Sequence, residues 1–293
     1  GTKWDDNWVG RFVAVKTRLR TFNFTPVVAY KISDNIMVSA GLIYSYADVI
    51  ITRKAELSPF QGEAFVELEG KETAAFGYTA GILVKASDDL SFGASLRSNV
   101  NYEFTGTATT TGPAQLAANL PQGDISATLT SPLNLTVGVG YKVSPEFTVS
   151  ADFQYVNWSS FDSLKVDFAN PAYADLASPR EYMNSFIGRL GFQYHYDESL
   201  DLRAGILYDR TPTPAERMEP SLPDNDRIGI SLGLGYKLTE SLTVDLSYLY
   251  LRVKERTVTD SKVNYSGNAG FVPLNGTYNV LVNLFGMSLS YNF

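Results

Sequence analysis

Cysteine is absent from the 293 residues, so neither a disulfide framework nor a thiolate metal site can be built from them. That suits a chain exported through an oxidising space, although many cytosolic proteins also lack cysteine. Histidine is nearly absent: His195 is the single one. With no Gly-x-Ser-x-Gly stretch beside it, the usual nucleophile-and-base arrangements have no candidates, and no enzyme activity and no cofactor are expected. A basic stripe is missing too. The formal net charge is -7 and the pI about 4.9, which leaves nothing to neutralise a phosphate backbone, so no nucleic-acid partner is expected. No stretch reaches the roughly 18 apolar residues of a membrane-spanning helix. A membrane remains open to the chain all the same, because a barrel strand crosses with about 10 residues of alternating character.

What the chain has in quantity is aromatic residues, 18 Tyr and 17 Phe, within a composition that is 44% hydrophobic and 19% charged, too apolar for disorder. A polar corner recurs five times: "AYKISDNIMVSAG" from 29, "LVKASDDLSFGAS" from 83, "GYKVSPEFTVSAD" from 140, "YHYDESLDLRAG" from 194 and "GYKLTESLTVDLSYLYLRV" from 235. Strict alternation runs out of these corners. Phe147, Val149, Ala151, Phe153 and Tyr155 oppose Thr148, Ser150, Asp152 and Gln154. Leu135, Val137, Val139 and Tyr141 oppose Asn134, Thr136, Gly138, Gly140 and Lys142. From Phe92 the same count places Phe92, Ala94, Leu96, Val100, Tyr102 and Phe104 on one face, with Arg97, Asn99, Asn101 and Glu103 on the other. Period two means strands with an oily face and a wet one. Five hairpins and the C-terminal run "FGMSLSYNF" make eleven strands.

The five corners are tight, whereas the links between hairpins are long, spanning 53–75, 105–131, 159–184, 209–227 and 254–278. Short turns at one end and long loops at the other are the pattern of an outer-membrane barrel, with Tyr-rich strand ends as interfacial girdles. A soluble antiparallel sandwich also alternates, but its wet face would carry many Lys and Glu where this one carries Gly, Ser, Thr and Asn. The expected fold is an all-β transmembrane antiparallel up-and-down β-barrel, in the outer membrane of a Gram-negative bacterium, with Phe293 as a terminal signal for barrel-assembly machinery.

The stretch "DRTPTPAERMEPSLPDNDRIGISLGLGYKL", 209 to 238, resembles the FadL/TodX family of long-chain fatty acid and hydrocarbon transporters. The likeness is carried by Asp209, Pro212, Pro214, Pro223, Asp224, Asp226 and Arg227, and by "YVNWSSFDSLKVDF", "LRSNVNYEFTG" and "TFNFTPVVAYKI" elsewhere. It implies a barrel of about fourteen strands with an N-terminal hatch. On that reading residues 1–293 are the C-terminal portion of one barrel domain, without the hatch and the first three or so strands. It also implies passive transport of hydrophobic molecules, long-chain fatty acids first, by lumen binding and lateral release into the bilayer. Small aromatic hydrocarbons, a general aqueous porin and a non-transporting partner barrel of a secretion system are the alternatives. The expected partners are the cargo and membrane lipid, and the expected state is a monomer.

Parity places Arg53, Arg97, Arg189 and Arg203 on the lumen side, where a forked guanidinium suits a carboxylate. The resemblance puts Arg53 at a head-group contact and Arg180 near a second one. Phe60, Phe65, Val66, Leu116 and Leu120 form either an outer greasy groove or ordinary loop packing. Asp224 and Asp226 read as a carboxylate pair, as a calcium site, or as a loop brace with Arg227. No metal is expected, and the brace is favoured because Pro-Asp-x-Asp is ordinary turn chemistry.

Overall fold

The computed structural model describes residues 1–57, 62–116, 120–265 and 270–292. Phe60 and Phe293 therefore lie outside the described residues. Collinear segments that pair with the same neighbours make eleven strands. They are β1 (Lys16–Phe24 and Val27–Lys31), β2 (Ile36–Glu56), β3 (Glu63–Lys85), β4 (Leu90–Arg97 and Val100–Thr111), β5 (Gly123–Ser131 and Asn134–Lys142) and β6 (Phe147–Val156 and Ser163–Phe168). Then follow β7 (Leu176–Pro179 and Ser185–His195), β8 (Leu200–Asp209), β9 (Arg227–Lys237), β10 (Leu242–Val253) and β11 (Leu281–Tyr291). Each pairs antiparallel with the next. Among the described residues β11 pairs only with β10, and β1 with β2 and the short strand Thr2–Lys3, so the sheet is open.

The recurring corner has a common cause. In each, the residue after the strand donates its backbone N–H to the carbonyl four residues on: Ile32 to Ile36, Ala86 to Leu90, Val143 to Phe147, Tyr196 to Leu200 and Leu238 to Leu242. The next residue, Ser33, Ser87, Ser144, Asp197 or Thr239, accepts the N–H two positions later through its side chain. Short hydroxyl and carboxylate side chains mimic a backbone turn in this way, so five different corners close alike. On β1 the ladder breaks at Thr25–Pro26, because proline has no N–H to give. Gly41 faces that break, and a Cβ there would lie 2.5 Å from the Pro26 carbonyl oxygen.

Below the middle of the strands the oily face is bare. Leu42, Phe76, Phe92, Val137, Phe153, Ile206, Leu232, Leu246 and Phe285 are all exposed on it, as are Tyr30, Tyr141 and Tyr236 beside the tight turns. Side chains of this size are left uncovered where lipid is their solvent.

The alternation does not run on unbroken. On β3 the register against β2 shifts between Ser45 and Ala47, which face Ala75 and Glu72. β4 is interrupted at Ser98–Asn99, β5 at Pro132–Leu133, β6 at 157–162 with a 3-10 turn over Trp158–Ser160, and β7 at 180–184, where Glu181 has φ 52°. Across this line the faces exchange. Val100, Tyr102 and Phe104, expected beside Phe92 on the oily outside, are instead 1%, 4% and 4% exposed, packed with Ile43, Ala47 and Ala75. Ala127 and Leu129, then Ile125, Val166 and Leu176, continue the inner apolar wall. The outer face now shows Glu69, Lys71, Glu103, Thr105, Thr107, Ser126 and Asp167. One face of a single sheet is buried only if the sheet curls, so the apolar wall is concave. Its polar outside marks strand that has left the bilayer for water.

The absent cysteine makes this testable by single substitution. Thr107→Cys should react with a membrane-impermeant maleimide on intact cells, whereas Phe104→Cys and Val137→Cys should not; labelling at 104 but not at 107 would restore the unbroken alternation. Lower down, Val137→Arg should destabilise by about 2 to 4 kcal/mol and the neighbouring Gly138→Ser only mildly, read by unfolding in lipid vesicles.

Candidate functional site

The inner wall divides into a polar lower half and an apolar upper half. In the lower half two lumen arginines, Arg189 and Arg203, are paired. Arg189 donates to Asp152 at 2.7 Å and to Gln154 at 2.7 Å, and Gln154 donates to Asn134 at 2.7 Å. Arg203 donates to Asp245 at 2.5 Å and to Asp201 at 3.1 Å, and Asp201 also meets the His195 Nδ1 at 2.5 Å. His195 is thus a member of a charge network at the tight-turn end. Arg97, level with Thr79 and Asn134 just below the line where the faces exchange, is half-buried. It has no ion pair among the described residues.

The upper half is an apolar inner face formed by Val49, Ile51, Val66, Leu68, Tyr102, Phe104, Ile125 and Phe168. Arg53 enters this wall from β2, opposite Val66 and between Ile51 and Ala55 on the same face. Among the described residues it makes no hydrogen bond or ion pair. Burial lowers its pKa from the usual arginine value, and the charge of Glu219 raises it again; the guanidinium stays charged.

The greasy set does not assemble as a unit. Phe65 is exposed, on the face opposite to the buried Val66; Leu116 is half-buried and Leu120 is buried against Gly112 and Ala64. Arg180 is buried in the break of β7 and ion-paired to Glu219. Glu219 sits in the 210–226 loop, accepts also from the Ser178 and Ser221 hydroxyls, and acts through its charge on Tyr182 and Tyr278; sequence reasoning missed it. Glu219 lies inside the quoted loop stretch, but nothing in its spacing points at Arg180.

That loop is internally braced. Asp224 accepts from Arg227 Nε at 3.1 Å and Nη2 at 2.5 Å through one oxygen, and from the Thr211 hydroxyl at 2.6 Å through the other. Asp226 accepts from the Thr211 N–H at 3.1 Å and, on its second oxygen, from the Tyr208 hydroxyl at 2.7 Å and Lys254 at 3.3 Å. All four carboxylate oxygens are engaged by protein donors. Pro223 leads into this pair, and Pro212 accepts from the Met183 N–H at 2.8 Å.

An open β-sheet with a bare lipid face, an apolar inner face above it and, among the described residues, a cation without a hydrogen bond or ion pair in that face can be set beside known proteins. Residues 1–293 match the family model of the outer membrane protein transport proteins (OMPP1/FadL/TodX). The chain belongs to this family. Outer membrane protein P1 of Haemophilus influenzae is 27% identical, over 100% of this chain and 69% of its own length. The long-chain fatty acid transport protein of Escherichia coli is 27% identical, over 89% of this chain and 65% of its own length. In fold, a Pseudomonas aeruginosa FadL homologue superimposes with a TM-score of 0.89 at 24% identity, over 99% of this chain and 71% of that one. The toluene transporter TodX of Pseudomonas putida does so at 0.69 and 17%, over 94% and 70%. The fold is therefore that of a FadL-type outer-membrane barrel, and the activity class is outer-membrane transport of hydrophobic compounds.

The brace carries a stability prediction. Asp224→Asn removes the charge that Arg227 reads, leaving only Asp209 at 3.5 Å, and should cost about 1 to 3 kcal/mol, seen as a lower temperature for loss of the compact band on an unheated gel. Burial alone would raise the pKa of Asp226, but the hydrogen bonds from Tyr208, Thr211 and Lys254 outweigh it and hold the carboxyl below its usual value. A depressed folded pKa contributes stability at neutral pH that disappears as pH falls through it. Asp226→Asn should accordingly flatten the acid side of the stability profile.

Proposed function

We propose that this FadL-family protein carries long-chain fatty acids, binding the acyl chain along the upper apolar inner face and the carboxylate at Arg53. The observation that carries the reading is that cation, without a hydrogen bond or ion pair among the described residues, in the apolar upper half of the inner wall. Arg53 is half-buried, and a charge drawn out of water is costly without a partner, so a wall that keeps one is suited to a ligand that supplies the anion. Each methylene taken from water contributes about 0.8 kcal/mol, so Val49, Ile51, Leu68, Phe104 and their neighbours supply affinity without catalytic chemistry. Arg53 supplies orientation, since a guanidinium presents a planar fork that a carboxylate matches and a hydrocarbon does not. The E. coli relative named as a long-chain fatty acid transport protein supports this choice of cargo. The toluene transporter among the fold neighbours keeps aromatic hydrocarbons as the competing cargo.

Arg53→Leu should weaken binding of a long-chain fatty acid by about 1.5 to 3 kcal/mol, the range for a hydrogen bond to a charged group. The matched fatty alcohol should be almost unaffected. Titrations of both ligands in low salt and near ~0.5 M salt, where an exposed pair would be screened and a buried one would persist, give the contrast. Equal losses for acid and alcohol, or none for either, would transfer Arg53 to a structural role and favour the hydrocarbon cargo.

A further inference from the structure

Arg53 and Arg180 differ in status. Arg53 is without a hydrogen bond or ion pair among the described residues. Arg180 is held by Glu219, with both side chains only 9% exposed. Glu219 is completely satisfied: it accepts from Arg180 and the Ser221 hydroxyl, the latter at 3.0 Å, on one oxygen and from the Ser178 hydroxyl at 2.9 Å on the other. Its segment is pinned from outside the loop, because Trp4 Nε1 donates to the Pro220 carbonyl at 2.9 Å and the Thr2 hydroxyl to the Ser221 carbonyl at 2.8 Å.

The reach of Glu219 extends beyond its own pair. It is the acidic group whose field acts on Arg53, and it adds to the burial that raises the pKa of Tyr182 and Tyr278 above the usual tyrosine value. Arg53, Arg180 and Glu219 together carry one positive charge. A charge withdrawn from water is tolerated when paired and expensive when alone; the Arg180–Glu219 pair is neutral, so the uncompensated charge is that of Arg53.

We propose that Glu219 is a resident carboxylate that sets head-group selectivity: by occupying Arg180 it leaves Arg53 as the one cation offered to cargo. The proposal rests on the fatty-acid reading above. It assigns Arg180 a latent role, since its guanidinium becomes available only when Glu219 is neutralised, and it makes Glu219 a specificity-determining residue.

The test uses oleate and oleyl alcohol as paired probes, titrated against the intact protein and its Arg53→Leu, Glu219→Gln and doubly substituted forms. Glutamine keeps the size of the side chain and its acceptor for a serine hydroxyl, and compact migration on an unheated gel reports folding. Arg53→Leu should abolish the preference for oleate over the alcohol, and adding Glu219→Gln should restore it about tenfold as Arg180 is released. Arg180→Leu is the second variant: with Glu219 left unpaired near Arg53, oleate binding should fall while the alcohol holds. A double variant that favours oleate no more than Arg53→Leu does, or an Arg180→Leu protein that loses both ligands alike, would reduce the Arg180–Glu219 pair to a brace and overturn the proposal while leaving the fatty-acid reading standing. An Arg53→Leu protein that keeps its oleate preference overturns both.

Discussion

In hydrocarbon an unpaired backbone N–H or C=O costs several kcal/mol, so a chain that crosses as strands must give every strand a neighbour. The ladder from β1 to β11 meets this requirement for its inner strands through ten successive antiparallel pairings, leaving the outer edges of β1 and β11 open among the described residues, and almost everything else in the molecule is arranged around it. Side chains do not choose their face. Alternation does that for them, and a residue can change sides only where the ladder is interrupted or shifted.

The interruptions are therefore functional architecture. A barrel that stayed in phase along its whole length would present Val100, Tyr102 and Phe104 to water above the bilayer and Glu103, Thr105 and Thr107 to its own lumen. Slipping phase at the bulge beside Ala75, at Ser98–Asn99 and at Pro132–Leu133 reverses both faults at once. Polar residues meet the aqueous exterior, and the apolar ones line the concave inner face. Proline at 132 and the hydrogen bond from the Tyr78 N–H to the Ser98 hydroxyl oxygen, 2.8 Å, are the local chemistry at two of these slips.

Charge is distributed with the same economy. In the lower lumen, Arg189 and Arg203 each find a carboxylate, and the pairs are half-exposed, where an ion pair contributes little to stability and mainly keeps the surface wet. On the upper inner face, the same residue type is placed among Ile51, Val66 and Leu68, where an unpaired charge is conspicuous. The 210–226 loop contributes Glu219, whose charge acts on Arg53 while its carboxylate pairs with Arg180; the loop is braced at Asp224 and Arg227 and tied to Trp4.

Much of the architecture was legible in the sequence because its cause is local. The five corners close by hydrogen bonds within a few residues, so Ser33 or Asp197 announces a turn wherever it is met, and eleven strands follow from eleven alternating runs. The lipid face of the lower half was legible too, since Val137 and Tyr141 obey period two. What the sequence did not disclose was where the period slips, because Ser98–Asn99 and Pro132–Leu133 change phase only in register with the neighbours they pair to. Nor did it disclose Arg180 against Glu219, residues on different elements whose meeting depends on how the sheet curls and how a long loop folds back. Local hydrogen bonding writes turns and faces into the sequence; which charges meet between a strand break and a distant loop is decided by how that loop folds back, and only the tertiary structure fixes that.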